Sequence, residues 1–561
     1  MEEINGCISF RPSQLTFGVE AAPGGYPEIA ITPSMTGALL TTAAYSAGTT
    51  ALTLTSSPGA SYIGAVVCIG TSSAAGATAA PQEIRKIEHV IGSVIYLDAP
   101  LAFNHLTASK VQLTGGNAVT DAEAGKFINL VPGVYETVDV PDPDMTIEAR
   151  YFLGTQSKRN FFATYKGQQS YTGSVPGFIL LDGRALRFPI GKVVSTANNF
   201  ESGTITLAVA RSKGDVFLTV GGAQKDDASV GDVICIDDGS TSVSEMRKIV
   251  AKTSDICQLD YPLQFAHAAA VSIAVVVTTA GGYYTHSIRE TVDLDTVSWH
   301  LHMRDSAENA TNDFDRRYYG GMIGGASLSA DEGGMLTMSW DGVNFQGMVH
   351  NQSKGSSVGT ETVPFYTKMH KITQDGTSDI VFPTTEPYYF SEGSVTIFGQ
   401  EIARVRSFNL SIANNEEPRY YIQRRYGRQR GPTEIREQRR EYSLAVTLAL
   451  PDTTAPNEAT TRLFTELLWE GDYGAGSGTG MQGFSVVLRF DRGTNDSIVI
   501  TIPDDGTAGT GGNNQGAFIR TAPHAITGDN PLQVDADVLF RNLKIDVTVP
   551  THTSDPTYYY P

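Results

Sequence analysis

The sequence predicts an all-β protein with one or few short helices, and three observations carry that prediction. Apolar and polar residues alternate over short runs, the period-2 signature of half-buried strands. Phe408, Leu410 and Ile412 alternate with Ser407, Asn409 and Ser411; Tyr442, Leu444, Val446, Leu448 and Leu450 alternate with Ser443, Ala445, Thr447 and Ala449. Glycine-rich turns separate such runs, drawn from 57 Gly and much Thr, Ser and Ala. One stretch alone reads clearly as a helix, NEATTRLFTELLWEGD. Asn457 can cap it, Glu458 suits its positive end, Leu463, Phe464, Leu467 and Leu468 form an apolar stripe, and Gly471 ends it.

At 561 residues the chain exceeds what one compact core usually holds, so several domains are expected. The balance of 60 acidic against 41 basic side chains gives −19, which repels a polyanion at long range. That argues against a grip on nucleic acid but permits passage of nucleic acid through an acidic channel. Four cysteines are too few and too scattered for a disulfide framework. Cys68 and Cys235 lie in the apolar runs AVVCIG and DVICID and read as small buried hydrophobes suited to a reducing cytoplasm. The opening MEEINGCISF lacks a basic region followed by an apolar core, and no apolar run approaches about twenty residues. Neither a signal peptide nor a membrane span is expected.

In chain order, the segment to about Thr41 mixes a Gly/Pro turn with a short alternating run. Residues 45–115 then recur at 199–277. YIGAVVCI matches SVGDVICI, EIRKI matches EMRKI, and LDAPLAFNH matches LDYPLQFAH, three blocks in the same order. Each copy alternates apolar runs with turns (LTL, VVCIG, IRKI and VIYL; FLTV, VICID, MRKI and CQLD), which suits a small barrel or sandwich. Each is expected to be a removable insert whose ends lie close together. His105 and His267 recur after a Pro-Leu-x-Phe turn and read as structural, because no Cys or carboxylate cluster at ligand spacing accompanies them. Between the copies, the stretch from ETVDVPDPDMTIEARYFLGTQ to DGRALRFPIGKV carries strands and hairpin turns. Beyond the second copy, Trp299, Leu301 and Met303 share one strand face and His300 and His302 the other, here a polar outer face rather than a zinc site. A Ser/Gly-rich link near Lys354 opens the second half, whose strands are GSVTIFGQEIARV, GFSVVLRF, DSIVITIP, VDADVLFR and LKIDVTV. The expected organisation is a first β module over 1–350, interrupted by inserts at 45–115 and 199–277, and a second over 351–561.

Between the two alternating strands of the second half lies NNEEPRYYIQRRYGRQRGPTEIREQRRE, far longer than a hairpin turn needs. From Arg419 to Arg440 it holds eight arginines against Glu434 and Glu437. Here the chain resembles the tail tube (major tail) proteins of long-tailed bacteriophages, on RSFNLSIANNEEPRYYI with its returning REYSLAVTLAL, and on ASLSADEGGMLTMSWDGV in the first half. The resemblance spans roughly Tyr283–Val343 and Tyr388–Val549, with LTFGVEAAPGG reading like the family's opening. It implies β-sandwich or barrel modules in tandem and an extended loop reaching neighbouring subunits. Arg419, Tyr420, Tyr421, Ile422, Arg424, Arg425, Tyr426, Arg428, Arg430, Arg436, Arg439 and Arg440 are therefore the candidate subunit-interface residues. Arginine forks suit carboxylates, and the tyrosines and Ile422 offer apolar surface.

No catalytic, cofactor or metal constellation stands out, so an enzyme is not expected. There is no dinucleotide fingerprint, no HExxH and no nucleophile elbow. GAGSGTG and DDGTAGTGGNN lack the Lys-Ser/Thr ending of a phosphate loop. The resemblance implies a virion protein that polymerises. Three chains of two modules would give a pseudo-sixfold ring, and rings would stack into a tube that passes double-stranded DNA without specific binding. It also implies tape measure, tail terminator and distal tail proteins as partners and assembly in the host cytoplasm. The competing expectation is a virion surface adhesin or fibre protein with carbohydrate-binding repeats, for which Tyr62, Phe103 and Phe265 are the aromatic candidates.

Overall fold

The structure, a computed structural model, describes residues 14–19, 39–59, 66–70, 83–113, 129–150, 163–197, 205–276, 282–303, 314–350, 380–381, 385–421, 431–449, 484–504, 517–525 and 533–550, with short gaps inside some ranges. Strands dominate it, as the sequence predicts; the described helix is a single α-turn, Arg187–Ile190, preceded by a 3-10 turn. The helix expected around Thr460–Trp469 lies outside the described residues.

Two large sheets face one another across one core. In the first, neighbouring strands run Gly133–Tyr135, Thr172–Leu180, Thr337–Asn344, Phe314–Asp331, Val405–Ala413, Glu441–Ala449, Gln533–Phe540 and Ala517–Thr521. In the second they run Gly191–Ala197, Tyr283–Glu290, Lys544–Pro550, Asp496–Ile502, Val486–Gly493, Gly393–Ile397 and Gln400–Glu401. Alternation decides the buried side: Phe408, Leu410, Ile412, Leu444 and Val446 of one sheet and Leu488, Ile498, Ile500, Ile545 and Val547 of the other all enter one cluster.

The two halves of the chain do not form separate domains within this sandwich. Phe314–Asp331 pairs with Val405–Ala413 from Gly325↔Ala413 to Asp331↔Ser407, and Tyr283–Glu290 pairs with Lys544–Pro550 from Tyr283↔Pro550 to Arg289↔Lys544. Both sheets thus cross the expected boundary near residue 350. Arg492 reinforces the join: it pairs with Asp496 at 2.9 Å, donates to the Leu181 carbonyl at 2.8 Å, and lies over the Tyr388 ring.

The long strand Phe314–Asp331 belongs to two surfaces. Its first part pairs with Val297–Met303 and Gly347–His350, its second with Thr337–Asn344 and Val405–Ala413. The change falls at YGGMIGG. Gly320 has φ +64°, and a Cβ on Gly321 would stand 2.4 Å from the Phe345 ring, so glycine lets the strand bend where the register with Val297–Met303 shifts. Trp299, Trp340, Phe178, Phe188 and Phe345 pack around this bend.

The duplicated segments share one topology. In the second copy, Ile205–Leu207, Phe217–Gly222, Ile256–Leu259, Glu245–Thr253, Val233–Ile236 and Ser272–Val275 close a six-stranded barrel in that order. In the first, Leu39–Leu40, Lys110–Leu113, Val66–Gly70, Glu83–Ile91, Val94–Leu97 and Ala51–Thr53 follow the same circuit, which the Thr41↔Leu54 bridge completes. Even the register shift recurs, at Ile87/His89 and Ile249/Ala251. The first repeat begins at Leu39, ahead of the expected residue 45. The second is bonded to its host: Ser244 Oγ donates to the Ser195 carbonyl at 2.7 Å, Ser195 N donates to the Ser244 carbonyl at 3.0 Å, and Cys235 and Met246 join the sandwich core.

Candidate assembly interface

The basic arm leaves the sandwich where Val405–Ala413 ends. Asn414 is buried and its amide donates to the carbonyls of Pro189 at 3.0 Å and Ile323 at 2.8 Å, while Asn415 takes φ +49°, a conformation asparagine tolerates. Two short strands, Glu417–Arg419 and Glu434–Arg436, then pair as a ribbon. Ile435 packs with Leu294 and Met322, and the Leu294 N–H donates to Glu437 Oε1 at 2.6 Å, so the stem is seated on the first half. The Tyr420 hydroxyl donates to the Gln169 carbonyl at 3.2 Å, and Tyr421 is 48% exposed.

The stem arginines have carboxylates in their own chain. Arg419 pairs with Glu417 at 2.6 Å, Arg436 with Glu434 at 2.9 Å, and Arg439 with Glu441 at 3.1 Å. Arg440 meets Glu437 at 3.3 Å and Glu290 at 3.4 Å and donates to the Ile190 carbonyl. Ile422, Arg424, Arg425, Tyr426, Arg428 and Arg430 lie outside the described residues. Residues 422–430 hold those four arginines and no acid, so the charge without a nearby carboxylate in the sequence is concentrated at the tip. Below the ribbon, the Glu416 carboxyl oxygens are shielded from solvent. Burial, then the Glu437 charge, push this carboxyl well above its ordinary value, against opposing pulls from Asn344 and Arg440.

A second ribbon, Asp144–Arg150 with Ala163–Ser170, leaves the first half between the paired strands Gly133–Tyr135 and Thr172–Leu180, just as the basic arm leaves between Val405–Ala413 and Glu441–Ala449. It exposes Ile147 and Tyr165. The sequence shows it only as a hairpin, because no charge run marks it.

The outward face of the first sheet forms another extended surface. Ser339, Ser327, Ser411 and Ser443 fall in one cross-strand row; Thr337, Ser329, Asn409, Ala445 and Asp537 in the next; Asp331, Ser407, Thr447 and Asp535 in a third. Ser327 and Ser339 hydroxyls lie 2.7 Å apart, and Thr447 donates to Asp535 at 2.9 Å. The surface runs unbroken across both halves of the chain.

The repeated histidines are buried. His267 Nε2 lies 2.8 Å from Glu245 Oε1, beside the Glu245–Arg247 pair at 2.5 Å, and His105 and Arg85 are buried at the matching positions. Burial alone would raise the Glu245 carboxyl; Arg247, His267 and the Gln264 amide outweigh it and hold it below its ordinary value. Among the described residues no group of three His, Cys, Asp or Glu side chains could hold a metal ion, and no described helix is long and apolar enough to cross a membrane. Of the aromatic candidates, Tyr62 lies outside the described residues, the Phe103 ring packs against Gly214, and Phe265 is half-buried.

A family model described as phage tail tube protein matches residues 154–541, a span holding the second repeat, the basic arm, the second strand of the other ribbon and most strands of both sheets. No curated protein matches the chain.

Proposed function

The chain belongs to the phage tail tube protein family, a structural component of the virion that self-assembles into a tube, and on that premise we propose that three copies close into each ring. Rings stack, and double-stranded DNA is delivered through the bore without specific contacts. Tape measure, tail terminator and distal tail proteins are the expected partners, and the host cytoplasm the place of assembly.

The observation that carries this reading is the hydroxyl-lined face shared by both halves. A bore must let a polyanion slide. Ser and Thr hydroxyls bonded to one another or to aspartate, with Asp331, Asp341 and Asp535 among them and Asp537 held by Arg520, offer phosphates little to hold. The joins inside the chain also support ring closure. Among the described residues, each sheet ends in a strand paired on one side alone, Gly133–Tyr135 in one and Gln400–Glu401 in the other. Such edges invite pairing with another copy, as the two halves already pair within one chain.

Negative-stain microscopy of purified protein is expected to show rings or tubes; isolated particles or thin rods would favour the adhesin reading. A cysteine replacing Ser411 should react with a bulky maleimide in dissociated chains and be protected in tubes, whereas one replacing Ser57, on the first repeat, should react in both. Equal labelling of Ser411→Cys before and after assembly would remove this face from the bore.

A further inference from the structure

The two repeats present the same pair of loops. In the first, Gly48 N donates to the Leu101 carbonyl at 2.7 Å and Leu101 N to the Thr49 carbonyl at 2.9 Å; in the second, Gly214 N donates to Leu263 at 2.8 Å and Leu263 N to Asp215 at 2.9 Å. The glycines share a left-handed conformation, φ +89° and +93°. Each loop pair therefore offers a patch of backbone without a side chain and, two residues beyond its leucine, a phenylalanine: Phe103 or Phe265. Each repeat carries both a knob and a seat.

Among the described residues only one of the two possible matches is made within the chain. Phe103 of the first repeat lies on Gly214 of the second, so closely that a Cβ on Gly214 would stand 2.7 Å from the ring. A Cβ on Gly48 would meet nothing within 4 Å, and Phe265 is half-buried. The contact is thus heterologous. It uses the knob of one repeat and the seat of the other, and it leaves the complementary seat on the first repeat and knob on the second. Contacts of that kind either close into rings or run on as filaments.

We propose that Phe265 of one chain seats on Gly48 of the next, so that the repeats of neighbouring chains continue the Phe103–Gly214 contact as a girdle around the tube. The occupant is a second copy of this chain because the complementary partner already exists on it, in the same loop conformation. This rests on the ring reading above. The girdle would add ring cohesion away from the sheet edges, and it gives the duplication of the small barrel a physical use: with two copies per chain the same head-to-tail contact alternates within and between chains around the ring.

The test uses cysteine pairs beside the knob and the seat in the full-length protein. Asn104→Cys with Lys213→Cys reports the contact inside the chain; Ala266→Cys with Ala47→Cys occupies the matching positions across chains. Oxidised assemblies of the second pair are expected to run as covalent dimers and trimers without reductant, and either single variant as monomer. Phe265→Ala should raise the critical concentration for assembly about tenfold, the effect of losing part of one buried aromatic ring. Rings whose Ala47/Ala266 pair stays unlinked while Asn104/Lys213 closes would overturn the girdle and leave the ring reading standing. Chain-to-chain links without rings or tubes in micrographs would do the reverse. Protection of the Ala266 thiol by added glycan, without any link between chains, would assign the loops to carbohydrate and overturn the proposal.

Discussion

The Leu294 N–H donates to Glu437 Oε1 at 2.6 Å across 143 residues, and this bond helps to tie the returning side of the basic arm to the first half of the chain, beside the Ile435 packing and the Arg440 contacts. Glu437 also holds Arg440, whose guanidinium reaches the Ile190 carbonyl. Glu437→Ala would leave a backbone donor and a largely buried arginine short of an acceptor, which costs about 1 to 3 kcal/mol. The expected result is a lower denaturant midpoint with an unchanged slope, read by urea unfolding of unassembled protein. An unchanged midpoint would mean that the stem is not anchored here.

The arm's tip should behave in the opposite way. Changing Arg424, Arg425, Arg428 and Arg430 together to Ser should leave the stability of the unassembled chain within about 0.5 kcal/mol of the parent, the range of substitutions that touch no packing or bonding inside the chain, while abolishing polymerisation. One exposed ion pair is worth only about 0 to 1 kcal/mol, but the loss accumulates over a contact repeated in every ring. High salt should weaken assembly of the parent for the same reason. Tubes of normal length and salt tolerance from the fourfold variant would show that the tip is not the assembly contact.

Local periodicity made the strands legible, and pairing between distant strands did not show. Ser407, Asn409 and Ser411 alternate with Phe408, Leu410 and Ile412 within nine residues, and the register buries the second set as alternation requires. Nothing local says that Asp331 will face Ser407 or that Lys544 will face Arg289, because such partners depend on which apolar faces must cover one another. The boundary near residue 350 was therefore drawn through sheets that the structure leaves whole. The net charge of the arm was equally legible, yet the sequence did not show that Arg419, Arg436, Arg439 and Arg440 pair with carboxylates of their own chain. The duplicated histidine showed in the sequence, but its carboxylate did not, since Glu245 stands 22 residues away on another strand.

Glu416 should make stability depend on pH with a definite sign. Its folded-state carboxyl is raised above the ordinary 4.5, so between that value and the raised one the folded chain binds more protons than the unfolded chain. Stability from this group falls as pH rises through that window, and the penalty stands in full above it. Glu416→Gln, which cannot ionise, is expected to melt higher than the parent at pH 8, with the difference shrinking towards pH 4. A difference that grows as pH falls would contradict the assignment.

Glu245 carries the opposite sign at the centre of the second repeat. Its carboxylate accepts the Gln264 N–H at 2.8 Å and pairs with Arg247 and His267, which holds its folded-state value below 4.5. The stability it contributes is present above the ordinary value and is lost as pH falls through the depressed one. Removing the charge leaves the Arg247 guanidinium buried without its carboxylate, a change that costs about 3 to 5 kcal/mol in comparable buried pairs. Because Cys235 and Met246 of this barrel belong to the sandwich core, the damage should not stay inside the repeat. Hydrogen exchange of Glu245→Gln is expected to speed at Ser195 and Val193 on the adjoining host strand as well as at Ile234 and Ile249 inside the barrel. Loss of protection confined to the barrel would show that the repeat unfolds as an independent unit, and that the Ser244–Ser195 bonds do not couple it to the sandwich.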